Sequence, residues 1–428
     1  MRQFWAGAVR NPAYWIFWGL LAIYHADGRA HPEVDCVPAP FAAWSLVRTG
    51  SLDVGHYEGL KPYHSAACLR TLSDGRVVPQ RSPGSAIAVL PLIAPVALIR
   101  DDPPSNGTMD VLGKSAGAIH VAAAGAIFFL ICRRLAPAGA WPATVLFGLG
   151  TCLYSVAAQA IWVHGPATFW LTLALYLMVR AERATWMLPF LAGLCLGMAV
   201  LCRPTAALFP LASGAAWLLT RDRRVVPLTL GGSIPVAYLL ALNWYQFGSP
   251  LVGGYGAEAG IAPPPFWLAF TGLLVAPSRG LFVYSPALLL IPMGIWGIRR
   301  PHRALLLCWT AAAAATVVLF ARWHDWRGGW CYGPRFLCEA LPILALLFAI
   351  AYDRVTARSF RIAAWALVAL SVSLHFLGIY GGREYEAWQC RHDPANRPDD
   401  PHGRCLFELH DTQIGAHANG LLRKLKDP

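Results

Sequence analysis

Apolar runs of sixteen or more residues recur along this chain, many of them separated by short clusters of arginine. They fall near residues 12–27, 112–132, 142–162, 165–180, 186–202, 205–220, 226–244, 281–298, 303–321, 337–352 and 360–380. At about 1.5 Å per helical residue, such runs match a hydrocarbon core about 30 Å thick. Composition agrees: 56% of the 428 residues are hydrophobic and only 14% are charged, against roughly 25% charged in an ordinary soluble domain. A soluble enzyme is excluded, as is a disordered or fibrous chain. The runs predict an all-α polytopic membrane protein with about eleven transmembrane helices. The first is expected to stay as a helix, since it lacks a small-residue cleavage site and runs into His25-Ala26-Asp27.

The 35 Lys and Arg exceed the 23 Asp and Glu, for a formal charge of +12. No basic helix or aromatic–basic ribbon accompanies that excess, so no nucleic-acid partner is expected. The basic residues instead mark loops on the cytoplasmic side. Arg2 and Arg10 precede the first run, and Arg133-Arg134, Arg180 with Arg183, Arg221 through Arg224, Arg299-Arg300, and Arg354 with Arg358 and Arg361 follow the same parity. The N-terminus is then in and the C-terminus out. Residues 84–100 would break that parity as a single crossing. Pro91 and Pro95 interrupt the segment, and it reads as a re-entrant or interface-lying helix, the alternative being a true crossing.

The implied division is a transmembrane catalytic domain over 1–380, with a long first outer loop at 28–111, and an outer tail at 381–428 packed on that face. Further outer loops fall at 245–280 and 322–336. Loops on a rigid scaffold are where chemistry is expected. Six cysteines lie in or beside outer segments, and Cys36–Cys68 and Cys390–Cys405 are the local disulfide candidates.

Asp35, a few residues beyond the first helix, is a candidate general base, with Asp27 and Glu33 as rivals in the same segment. Arg81, Arg203, Arg279 and Arg335 each stand beside Gly or Pro at an outer helix entrance. The planar guanidinium suits phosphate, whereas any one of them alone would serve equally as a snorkelling membrane anchor. The loop Trp323-His324-Asp325-Trp326-Arg327-Gly328-Gly329-Trp330-Cys331-Tyr332-Gly333-Pro334-Arg335 joins aromatics to glycines, as a sugar site would. An interfacial aromatic belt explains its tryptophans but not its Gly-Gly and Gly-Pro-Arg. His324, Asp325, Trp326 and Tyr332 from this loop, with His164 and Tyr255, are the candidate sugar or acceptor contacts.

Together these features resemble the GT-C superfamily of membrane glycosyltransferases, in the bacterial branch related to protein O-mannosyltransferases and lipid A aminoarabinose transferases. The resemblance spans nearly the whole chain. It rests on Asp35 and the amphipathic stretch to Thr49-Gly50-Ser51-Leu52-Asp53, on Arg81-Ser82-Pro83-Gly84 and Arg203-Pro204, and on NWYQFGSPLVGGY, APSRGLFVYSP and GGWCYGPRFL. Cys36 stands where family members often carry Glu, and His164 where a second acidic residue is common. Both changes remove ligands for a divalent metal, so no metal or other cofactor is expected.

The resemblance implies a GT-C fold with juxtamembrane helices in the first outer loop. It implies a bacterial inner-membrane enzyme, active on the periplasmic face, that moves a sugar from a polyprenyl-phosphate donor to a glycan, lipid or protein hydroxyl with inversion. Asp35 would act as base, and the arginines would hold the lipid phosphate. A transporter or flippase of an anionic lipid is the alternative, and it would want two-sided access and internal repeats.

Overall fold

A computed structural model of the chain describes residues 11–63, 68–181, 186–258, 261–381, 384–393 and 396–426. Arg2, Arg10 and Arg183, used above to orient the chain, lie outside the described residues. The chain forms two compact units. One holds residues 1–127 and 157–260, the other 128–156 and 261–428.

The first unit opens with helix α1 (Pro12–His25), capped by the Asn11 side chain on the Ala13 amide. Helix α2 (Pro38–Thr49) starts on a proline and stops at Gly50, which takes a left-handed conformation at φ +68°. A two-stranded antiparallel hairpin follows, β1 (Leu69–Thr71) and β2 (Val77–Pro79), with Leu69 opposite Pro79. Asp53 secures it by accepting the amides of Gly55 and Val77. Helix α3 (Gly84–Ile99) contains Pro91 and Pro95 and packs along α2. Helix α4 (Asn106–Leu135) contributes residues to both units. The bundle continues with α6 (His164–Arg180), α7 (Met187–Cys202), α8 (Leu208–Leu219) and α9 (Val225–Phe247). Helices α7 and α9 approach backbone to backbone: a Cβ at Gly193 would strike the Leu228 carbonyl, and one at Gly231 the Phe190 carbonyl. Small residues at such a crossing replace the hydrophobic drive that lipid cannot supply.

The second unit contains α5 (Ala140–Leu149), α10 (Phe266–Val275), α11 (Ile291–Gly297), α12 (Arg303–Ala321), α13 (Leu341–Arg354), α14 (Arg358–Tyr380), α15 (Glu384–His392) and α16 (Gln413–Lys426). Glycine again sets the contacts, since a Cβ at Gly139 or Gly294 would fall on the backbone of α13 at Ala349 or Leu347.

This is an all-α polytopic membrane protein. Among the described residues, five helical stretches are long and apolar enough to cross a membrane: Asn106–Leu135, Val225–Phe247, Arg303–Ala321, Arg335–Arg354 and Arg358–Tyr380. The other expected runs are shorter or broken. The 142–162 run ends as a helix at Leu149 and continues as a π-helical turn over Leu153–Ala157. The 281–298 run breaks at Ser285-Pro286, where proline brings no amide to the ladder and the Ser285 hydroxyl bonds the Gly150 carbonyl instead. One apolar helix was not expected: α10 lies in the segment read as an outer loop. Its ten residues follow three consecutive prolines and fall short of a crossing length.

Candidate active site

Asp35 sits in the turn between α1 and α2, where the Cys36 amide bonds the Glu33 carbonyl and Pro38 opens the next helix. This segment is anchored at its start. The His31 amide bonds the Gln159 carbonyl at 3.1 Å, and Lys114 on α4 donates to the Arg29 carbonyl and to Asp27. Asp27 also takes His31 Nε2 at 2.7 Å, and its side chain is 5% exposed. Burial pushes the Asp27 carboxyl up, but the hydrogen bonds from His31 and Lys114 outweigh that and hold it below the usual carboxylate range. Asp27 is thereby committed to structure.

Arg81 reaches Asp35 by a different route. The hairpin is held to the end of α9 by Arg76, which stacks 4.7 Å over the Tyr245 ring and donates to its hydroxyl at 3.0 Å. The Gln80 amide bonds the Cys68 carbonyl at 2.8 Å, and Gly254 packs so closely that a Cβ there would strike the Gln80 backbone. The next residue, Arg81, places Nη2 at 2.5 Å from Asp35 Oδ1 and its guanidinium 4.6 Å over the Tyr255 ring. Both members of the ion pair keep partial exposure, 16% for Arg81 and 22% for Asp35. Asp35 also acts on Cys68: burial pushes that thiol up to about 11, and the nearby carboxylate adds to the shift.

The turn after Arg81 leads to the second arginine. A Cβ at Gly84 would fall on the Cys202 backbone, so this turn abuts the C-terminal end of α7, where Arg203 ends the helix. Arg203 is buried and donates to the ring of His164, the first residue of α6. A small cleft lies here, with Arg81, Ser82, Ser85 and Gln246 among its lining residues. Asp35, Arg81, Tyr255, Arg203 and His164 thus belong to one unit, and contacts join them as the pairs Asp35–Arg81, Arg81–Tyr255 and Arg203–His164.

The remaining candidates lie in the second unit, and several have partners that no ligand supplies. Arg279 is 3% exposed. Its guanidinium donates to the carbonyls of Cys331 and Gly329 and to Gln413 Oε1 at 3.0 Å, and it stands 5.8 Å over the Trp388 ring. Trp326 is 1% exposed, with Nε1 on the His402 carbonyl at 3.0 Å and its ring against Gly272. Tyr332 is 4% exposed, donates to the Leu374 carbonyl at 2.8 Å and packs on Gly378 and His417; burial raises its hydroxyl. These three, expected as ligand contacts, hold the 323–335 loop within its own unit. Arg335 opens the helical turn before α13, buried, with Gly328 and Gly329 against its side chain. Asp325 pairs with Arg327 at 3.4 Å, and His324 lies ring to ring with Trp323 at 4.8 Å.

Two residues that organise these regions escaped the sequence reading. Lys114 carried a signal, since an ionisable residue within an apolar run is costly and seldom idle. Gln413 carried none, yet it is fully buried and accepts from Arg279, the Tyr284 hydroxyl and the Gly333 amide. All eleven cysteines are thiols, so neither expected disulfide is formed; the sulfurs of Cys152 and Cys338 lie 3.1 Å apart.

No protein-family model and no curated protein matches the chain. Among solved structures it is similar to the crystal structure of ArnT from Cupriavidus metallidurans bound to undecaprenyl phosphate. That match has a TM-score of 0.53 at 15% identity and covers 98% of this chain and 76% of the other. The chain therefore shares the fold of that structure.

Proposed function

We propose that this protein is a membrane glycosyltransferase that moves a sugar from a polyprenyl-phosphate donor to an acceptor hydroxyl at the outer face of a bacterial inner membrane. The observation that carries the reading is the Asp35–Arg81 pair, a partly exposed carboxylate fixed against a guanidinium beside a small cleft. The shared fold supports it, as does the undecaprenyl phosphate bound to the similar structure.

On this reading Asp35 takes the proton of the acceptor hydroxyl as its oxygen bonds to the anomeric carbon. The bond from that carbon to the phosphate oxygen breaks, and its electron pair leaves with the polyprenyl phosphate. One displacement inverts the configuration. Negative charge grows on the leaving phosphate, and Arg81 is the cation next to the base. Arginine contacts that strengthen as this charge develops favour the transition state over the bound donor. Arg203, beside the same turn, is the second phosphate ligand, with His164 fixing its guanidinium. Tyr255 orients Arg81 through its ring face. The chemistry needs no metal or other cofactor, since the arginines supply the positive charge.

Mass spectrometry of lipid-linked sugars in a deletion strain tests the reading. A polyprenyl-phosphate sugar should accumulate, and the acceptor, whether glycan, lipid or protein, should lose that sugar. Unchanged lipid-linked sugars and an unchanged acceptor would refute it.

A further inference from the structure

The C-terminal helix α16 carries two stripes. Gln413, His417 and Gly420 are buried and recur at the i, i+4, i+7 spacing of one helix face, with Lys424 continuing the row. That face is docked: His417 Nδ1 bonds the Leu377 carbonyl at 3.1 Å, and Lys424 Nζ donates to the Tyr380 carbonyl at 3.0 Å. Ile414, Ala418, Leu421 and Leu425 repeat the same spacing one residue on, and Leu422, four residues after Ala418, widens them into a neighbouring apolar stripe. This second stripe opens outward toward its C-terminal end, where Leu422 is 55% and Leu425 71% exposed, while Ile414, Ala418 and Leu421 are half-buried. Arg423 and Lys426, both exposed, lie beyond its far edge.

The level of α16 follows from what it touches. Leu377 and Tyr380 are in the last turn of α14, a helix of 23 residues long and apolar enough to cross a membrane. Phe376, in that same turn, is 41% exposed. A helix seated on the end of a spanning helix lies at the border between hydrocarbon and headgroups. An apolar stripe edged by lysine and arginine is the pattern of a helix lying in that plane.

We propose that α16 is an interfacial helix. Its Leu421, Leu422 and Leu425 side chains enter the leaflet around the end of α14, and Arg423 and Lys426 engage anionic phospholipid headgroups. The charge complementarity selects the occupant: an apolar protein partner would not need the basic edge, whereas an anionic leaflet rewards each nearby basic residue by about five-fold in partitioning.

The test labels Leu425→Cys with an environment-sensitive fluorophore, in the full chain with the exposed Cys390 changed to Ser. The protein is placed in phosphatidylcholine nanodiscs with or without phosphatidylglycerol. The proposal expects blue-shifted emission that lipid-borne nitroxides quench, stronger with phosphatidylglycerol and weakened by Arg423→Glu with Lys426→Glu. Water-like emission in both discs would overturn it. So would a blue shift that lipid nitroxides fail to quench, which would mean that a second copy covers the stripe. Quenching equal in both discs and indifferent to charge reversal would overturn the headgroup assignment.

Discussion

Asp35 Oδ1 and Arg81 Nη2 meet at 2.5 Å although 46 residues separate them, one in the turn after the first helix and the other at the end of a hairpin. Each residue sits on a segment with its own anchors, so the placement of neither segment rests on the ion pair alone. Lys114 fixes the segment leading to Asp35, and Tyr245 and Gly254 fix the hairpin leading to Arg81. On the proposed mechanism, a base and a phosphate-binding cation are thereby preset side by side. Preset geometry is what makes such groups effective when charge develops between them.

Replacing Arg81 separates charge from shape. Arg81→Lys keeps the charge and loses the fork, so transfer should fall to an intermediate level, whereas Arg81→Ala and Arg203→Ala should each cost about ten- to a hundred-fold. Steady-state transfer from a synthetic polyprenyl-phosphate sugar measures this. Wild-type turnover and donor affinity in both alanine variants would make these arginines membrane anchors.

Lys114 is expected to matter for folding before catalysis. Lys114→Met strands the buried Asp27 carboxylate, and breaking a buried pair in this way costs about 3–5 kcal/mol. Thermal unfolding in detergent should show a large loss for Lys114→Met, with part of it recovered in the Asp27→Asn, Lys114→Met double variant. No loss in the single variant would contradict the assignment.

The same cluster sets a pH dependence. Asp27 has a folded pKa below its reference value of 3.8, so its contribution is fully present above that value and is lost as pH falls through the folded one. The acid limb of stability should therefore be shallower in Asp27→Asn than in the wild type. Identical acid limbs would remove Asp27 from the account.

Orientation can be read from the tail. Leu409 is 83% exposed, and the parity of the basic loops puts it outside. Leu409→Cys should react with an impermeant maleimide on intact spheroplasts; protection until lysis would reverse the topology.

Much of this was legible in the residues themselves. The five long apolar helices coincide with runs that length and hydropathy pick out. The breaks at Gly150 and Ser285-Pro286 were less visible, because an apolar run reads the same whether its ladder is continuous or not. At the candidate site, Asp35, Arg81, Arg203 and Tyr255 could each be named as candidates, but which of them touch could not be read. Arg279 and Trp326 show why. Whether a guanidinium is left for a ligand depends on carbonyls and on Gln413, 134 residues away, and whether an indole is a platform or an anchor depends on Gly272 and His402. Those partners are set by tertiary packing, and no local pattern announces them.

The most direct test of the central claim is the transfer rate of Asp35→Asn with a synthetic polyprenyl-phosphate sugar, in protein shown by size-exclusion chromatography to be folded. The amide keeps the size of the carboxylate and loses the base. Transfer should drop by about 10²–10⁴-fold while donor lipid still binds. Near-normal turnover would show that Asp35 is not the base and would turn attention to Glu33.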